Sequence, residues 1–237
     1  PLKNVQVWRF ALYYFFVFGG FVALALWLPR YLIGVYGLDI ATAGMIGAAY
    51  SIPASVFRAY GGHLADRYGA RTIMYWTFLV SLACTFALSY PPTKFVMEGI
   101  HGPVEFSTRM GLPGFIVIAF ILGFFMSLGK AAVYKHIPVY YPDRVGAVGG
   151  VVGLVGGLGG FVLPIAFGAL NDLTGIWQSC FWLLFAFVSV SLVWMHFAIR
   201  SMEKAAAEAG IPARELPELP EMQPLHGPGQ VGALAGR

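Results

Sequence analysis

Long apolar runs separated by short polar connections organise this chain, at approximately residues 9–29, 41–62, 72–90, 113–134, 146–170 and 177–198. Each run approaches the about 20 residues needed to cross a hydrocarbon layer about 30 Å thick. Lipid offers no partner for an unpaired backbone group, so all six runs are predicted to be helices. The connections are short except for residues 91–112, whose prolines, glutamates and lack of sustained apolar periodicity predict an ordered or partly mobile external loop. Residues 201–209 predict a surface helix. From Ile211 to Arg237 prolines, glycines and scattered charges replace large apolar residues, a composition that buries too little surface to fold alone. The chain therefore divides into a six-helix transmembrane bundle, residues 1–200, and a largely disordered tail, residues 201–237.

Composition agrees with this all-α membrane class. The chain of 237 residues is 58% hydrophobic and 11% charged, against the about 25% charged residues of soluble domains. Lys3, Arg9, Arg67, Arg71, Lys135, Arg144, Arg200 and Lys204 collect near one set of helix ends, whereas Arg30, Lys94 and Arg109 lie near the other. The richer set marks the cytoplasmic side, which places both termini there and makes the protein multi-pass in the cytoplasmic (inner) membrane. This bias accounts for the net charge of +4 without a nucleic-acid partner. Cys84 and Cys180, far apart in separate apolar runs, suit neither a disulfide scaffold nor a metal cluster and read as small core or lipid-facing residues. The first apolar run is too long and aromatic for a signal peptide, and an opening at Pro1 rather than Met reads as a fragment.

Candidate chemistry lies inside the apolar runs. Gly146, Gly149, Gly150, Gly153, Gly156, Gly157 and Gly160 recur at helical spacing and form a side-chain-free stripe. An interior glycine costs a helix about 1 kcal/mol relative to alanine in water; in a membrane it admits a second backbone or a small ligand. Arg58 lies eight residues before the loop residue Asp66, about 12 Å along a helix. An arginine at that depth costs on the order of 3 kcal/mol and usually faces a cavity or partner. Small residues Ser51, Ala54, Ser55, Gly61 and Gly62 surround it on one face, which suggests an anion pocket; snorkelling or pairing with a carboxylate is the structural alternative.

Lys130 and Lys135 sit near the basic end of the fourth run, where each reads first as solvated, with Lys130 the closer to a substrate path. Tyr14 and Phe18, with Phe10 and Phe21, recur along one face of the first run; Tyr14 and Phe18 could wall a cavity, while Phe10 and Phe21 read as packing. Every Asp and Glu falls in a loop, at a helix boundary or in the tail, so the embedded charges are cationic and favour an anion path. His196, close to the inner boundary, reads as the embedded histidine.

The segment Gly62-His63-Leu64-Ala65-Asp66-Arg67-Tyr68-Gly69-Ala70-Arg71 resembles the cytoplasmic loop motif of the major facilitator superfamily. The resemblance implies that Gly62, Asp66, Arg67, Gly69 and Arg71 form a conformational motif locking one transport state. The run Gly129-Lys130-Ala131-Ala132-Val133-Tyr134-Lys135-His136-Ile137-Pro138 and the stripe ending Gly159-Gly160-Phe161-Val162-Leu163-Pro164 resemble the nitrate/nitrite porter branch. The resemblance covers residues 5–200 and matches helices seven to twelve, the C-terminal six-helix half of a twelve-helix transporter. It implies that Pro1-Leu2-Lys3 ends a central cytoplasmic connection, and that Arg58 is the half's substrate-binding arginine. It implies further that Tyr14 and Phe18 contact the anion, and that the stripe, with Gly153, Gly156, Gly157 and Gly160, lies beside it. Lys130 departs from the asparagine expected after Gly129.

These features predict a secondary carrier for nitrate and nitrite that needs an N-terminal six-helix half, in the same or another chain, and membrane lipid, but no cofactor or metal. The lack of embedded carboxylates favours exchange over proton symport; a proton-coupled nitrate importer or a porter of another small anion is the alternative. An enzyme is disfavoured by the lack of a metal pair, a nucleophile with a base, or a cofactor motif. A non-transporting membrane subunit would have little use for Arg58.

Overall fold

The computed structural model describes residues 4–208, the side chain of residue 206 excepted. Helix α1 (Val5–Tyr14) runs through a π-helical turn, Phe15–Gly20, into α2 (Phe21–Tyr36). It is followed by α3 (Ile40–Tyr68), α4 (Ala70–Leu88), α5 (Leu112–Tyr140), α6 (Val145–Thr174) and α7 (Ser179–Glu208). With α1, the turn and α2 taken as one continuous rod, the described residues contain six helices long and apolar enough to cross a membrane.

Local chemistry sets the breaks. Asn4 caps α1 by accepting from the Gln6 amide at 2.9 Å. Asp39 caps α3 through Thr42, and the hydrogen bonds from Thr42 hold its carboxyl below the usual carboxylate range. Gly69, at φ 83°, breaks the rod between α3 and α4, a conformation that L side chains avoid. Among the described residues, two ion pairs tie the basic end, where Asp66, Arg71, Lys135 and Glu203 lie. Lys135 on α5 meets Asp66 on α3, and Arg71 on α4 meets Glu203 on α7 at 3.4 Å.

Helix α3 packs on α5, α5 also on α4, and α4 on α7, while the first rod packs on α6. The packing depends on glycine. Adding a Cβ at Gly19 would bring it 2.7 Å from the Gly159 Cα, so the π-helical turn and α6 meet backbone to backbone. Gly61 likewise lies against the Leu128 backbone, close to where Ser127 donates its hydroxyl to the Ala54 carbonyl. Ala54 and Gly61 therefore serve the α3–α5 seam rather than a pocket around Arg58. Cys84 and Cys180 are free thiols within the buried core.

Two expectations change. The long connection at 91–112 is a β-hairpin of β1 (Thr93–Gly99) and β2 (Gly102–Thr108), antiparallel with Phe95 opposite Phe106 and the two rings 5.1 Å apart. Its base is tied to the end of α2, where Arg109 donates to the Val35 carbonyl at 2.7 Å and Tyr36 to the Met110 carbonyl at 3.2 Å. Residues 201–208 are no separate surface helix but the last two turns of α7, because no breaker interrupts the run and Glu203 holds Arg71. The tail proper, 209–237, lies outside the described residues.

The two neighbouring glycines of α3 give a test. A Cβ at Gly61 lands 2.8 Å from the Leu128 Cα, whereas one at Gly62 meets nothing within 4 Å. Thermal unfolding of the purified carrier should show Gly61→Ala destabilised by about 1–3 kcal/mol through overpacking. Gly62→Ala should be unchanged or stabilised by up to about 1 kcal/mol.

Candidate anion site

Arg58 projects from the exposed face of α3. Opposite it, on the first rod, the Tyr14 hydroxyl interacts with both the Arg58 guanidinium and the Tyr134 hydroxyl of α5. Tyr14 and Phe18 stack with ring centroids 5.0 Å apart and an interplanar angle of 3°, and Tyr134 meets Tyr14 edge-on at 4.9 Å. The four side chains make a cationic, aromatic and hydroxylic corner where α1, α3 and α5 converge.

The glycine stripe of α6 divides along its length. At Gly156 an added Cβ would run into the Tyr14 ring, and at Gly153 it would lie 2.9 Å from the Tyr134 hydroxyl. Tyr134 also donates to the Gly149 carbonyl at 3.4 Å. These three positions seat Tyr14, which faces Arg58, and its neighbour Tyr134. Gly160 instead receives Val22, with an added Cβ 3.0 Å from its Cγ1, and Gly159 receives Phe15 and Gly19. Gly146, Gly150 and Gly157 have nothing within 4 Å of an added Cβ, so they front open surface.

Lys130 corrects the expectation of a solvated or snorkelling lysine. Helix α5 continues to Tyr140, so Lys130 is interior to it and only 5% exposed. Its ammonium lies 3.1 Å from the Phe21 ring centroid and 5.9 Å from that of Phe18, within the electrostatic field of Arg58. Phe21 is thus packing, as it stacks on Tyr50 at 4.9 Å, and also the seat of a buried cation. Phe10 lies away from this corner against His136 and Tyr140, each at 5.5 Å.

Sequence reasoning misses His136 because the fourth apolar run ends before it. The longer α5 buries it, with Nδ1 2.7 Å from the Ala132 carbonyl oxygen. His196 lies on the α4–α7 seam, its Nδ1 3.2 Å from the Tyr75 hydroxyl. Neither belongs to the Arg58 corner. The residues of the loop motif spread over the basic end: Asp66 and Arg71 are in the two ion pairs, Arg67 lies 5.4 Å over the Tyr68 ring, Gly69 makes the break and Gly62 is open.

Chemically, the corner offers a flat five-donor cation, a point cation and tyrosine hydroxyls, with aromatic faces between them. Such a set suits a small planar anion, because guanidinium donors can meet two oxygens at once while aromatic walls keep water out. Among the described residues no carboxylate pairs with Lys130 or Arg58.

Comparison with known proteins gives the family and the fold. The family model of the Major Facilitator Superfamily matches residues 10–230. The chain is 45% identical over 209 residues to the "Probable nitrate/nitrite antiporter NarK1" of Thermus thermophilus, covering 88% of this chain and 47% of that protein. It is 30% identical to the "Nitrite extrusion protein" of Bacillus subtilis (strain 168), covering 84% and 46%. It thus spans about half the length of the curated relatives it matches. Among solved structures it resembles a POT peptide transporter in complex with sulfate, with a TM-score of 0.70 at 20% identity over 98% of this chain and 43% of that one. It also resembles the xylose transporter XylE from E. coli, with a TM-score of 0.63 at 14% identity over 81% and 47%. At these identities the likeness is one of fold: six helices arranged as one half of such a transporter.

The seating of Lys130 on a ring face makes a measurable prediction. An aromatic face returns about 0.5–2 kcal/mol to a cation, less than the several kcal/mol lost on desolvating it. Lys130→Met, similar in length and apolar, should therefore unfold at a higher temperature than the parent in anion-free buffer. A lower unfolding temperature would mean that the ammonium is structurally paired.

Proposed function

The chain belongs to the Major Facilitator Superfamily and, within it, to the nitrate/nitrite porters, and from that premise we propose that it supplies one wall of a carrier exchanging nitrate for nitrite. An N-terminal six-helix half, in the same polypeptide or another chain, supplies the opposing wall, with the site near the membrane midplane between the two halves. Both termini face the cytoplasm, as the excess of lysine and arginine at the basic end favours.

The observation that carries this reading is the Arg58 corner: an intramembrane guanidinium on an exposed face, approached by the Tyr14 hydroxyl and flanked by Phe18 and the buried Lys130. Arg58 binds two oxygens of the planar anion, Tyr14 donates to it, Phe18 stacks beside it and Lys130 adds charge. Gly153 and Gly156 seat the tyrosines, Gly157 lets the opposing half approach and Gly160 keeps α6 close to the first rod. Asp66, Arg67 and Arg71, with Gly62 and Gly69 at the α3–α4 corner, hold the basic end closed in one transport state.

Exchange follows from charge. An empty site carries uncompensated cations, and closing it removes their water, which is costly in a low dielectric. A bound anion offsets that cost, so the carrier crosses its closed state most readily when loaded, and inward movement of one anion is matched by outward movement of another.

Proteoliposomes holding the complete carrier and preloaded with nitrite should take up nitrate without a pH gradient. Arg58→Lys keeps the charge and loses the planar fork. If it forfeits one charge-assisted hydrogen bond, worth about 1.5–3 kcal/mol, nitrate affinity should fall roughly tenfold to a hundredfold while insertion stays normal. Uptake that needs an imposed proton gradient and ignores internal nitrite would select the proton-coupled alternative. Near-native affinity in Arg58→Lys would remove Arg58 from the site.

A further inference from the structure

A second arginine in the first rod has no role in the Arg58 corner. Arg9 lies about 7.5 Å along the helix from Tyr14, on a side that faces different neighbours. Its guanidinium carbon is 5.0 Å from the Phe10 ring centroid and 5.9 Å from that of Tyr13. Those rings pack on α5 and α4, through His136 and Tyr140 at 5.5 Å and Phe78 at 5.2 Å. Tyr14, by contrast, rests on Gly156 of α6.

Arg9 is 3% exposed, and its Nε and Nη1 are enclosed without a hydrogen-bond acceptor among the described residues. The Tyr141 hydroxyl is likewise enclosed without a hydrogen-bond partner among the described residues. The described carboxylates with ion pairs at this end are committed elsewhere, Asp66 to Lys135 and Glu203 to Arg71. An arginine does not escape burial by losing its proton, and two ring faces offset only part of the cost of a buried cation. Donors on two different nitrogens call for a ligand with several oxygens and a negative charge.

We infer that Arg9 binds a small oxyanion at the basic end of the bundle, at a site separate from Arg58. The ligand is either a free inorganic oxyanion or the phosphate of an anionic lipid head group; Arg9 is the fifth residue of the span Val5–Tyr36, the depth at which head groups lie. Once bound, it supplies the missing acceptors and fastens α1 to its neighbours at this end. There Gln6 reaches the Met202 sulfur of α7 at 3.6 Å and Tyr140 reaches it at 3.9 Å. The inference does not depend on what the carrier transports.

The test uses the complete carrier in uncharged detergent, in an Arg58→Gln background so that the transport site adds no anion response. Millimolar inorganic phosphate, compared with chloride at equal ionic strength, should raise the unfolding midpoint by roughly 2–4 °C. Arg9→Met should raise the midpoint in phosphate-free buffer and abolish that shift. If phosphate is inert but phosphatidylglycerol, unlike phosphatidylcholine, stabilises the carrier only when Arg9 is present, the ligand is the lipid phosphate and the site stands. If neither probe has an Arg9-dependent effect, or if Arg9→Met responds to phosphate like the parent, the inference is overturned. Should Arg9→Met not be recovered folded, Arg9→Lys decides: a shift below half the parent's supports the site, and an unchanged shift rejects it.

Discussion

The direct backbone contact between Gly19 and Gly159 is the constraint on which the rest of the bundle depends. It draws the π-helical turn of the first rod onto α6, so that Phe15 lies on Gly159, Val22 on Gly160 and Tyr14 on Gly156. Any side chain at the contact would hold the two helices apart, and no polar interaction replaces it. Because Tyr14 is seated by this contact and also reaches Arg58 and Tyr134, the geometry of the anion corner is set by glycines that carry no chemistry themselves. In lipid, where burying apolar surface drives little helix association, such close packing is the available source of cohesion.

Charge is arranged with the same economy. The Arg58 corner gathers cations without a described carboxylate, which is unfavourable unless an anion arrives, whereas the basic end pairs Asp66 with Lys135 and Arg71 with Glu203. Under the proposed mechanism the two regions divide the work: the corner makes loading a condition for closure, and the ion pairs decide which side is closed. Pairs at the membrane boundary remain partly hydrated, so they can break and re-form at modest cost.

Much of this was legible from residue order because the bilayer imposes a simple code. Six apolar runs of sufficient length define six helices, and an arginine deep in one of them marks a candidate site. The loop motif and the glycine-rich run then identify the family. What was hidden depends on contacts between helices. Hydropathy ends the fourth run near residue 134, but α5 continues to Tyr140 because Lys135 is paired with Asp66 and His136 is bonded to the Ala132 carbonyl. Lys130, inside that helix, is buried against Phe21 and Phe18 of the first rod. Glycine spacing predicts a stripe yet not which members meet a neighbour, since Gly156 and Gly157 differ only by 100° of helix rotation. The hairpin at 93–108 was masked by Pro91, Pro92 and Pro103, although Phe95 and Phe106 pair across it.

The central claim is that the glycine contact, rather than charge alone, positions the anion site. Nitrate binding to the complete carrier carrying Gly19→Ala tests it most directly, because this residue lies against Gly156 and Gly159 of α6 rather than against Arg58, and the added methyl must displace the Gly159 backbone. A shift of the Tyr14 wall that loses about one hydrogen bond to the anion predicts an affinity roughly tenfold weaker, with insertion intact. Parent affinity in a folded Gly19→Ala carrier would contradict the account.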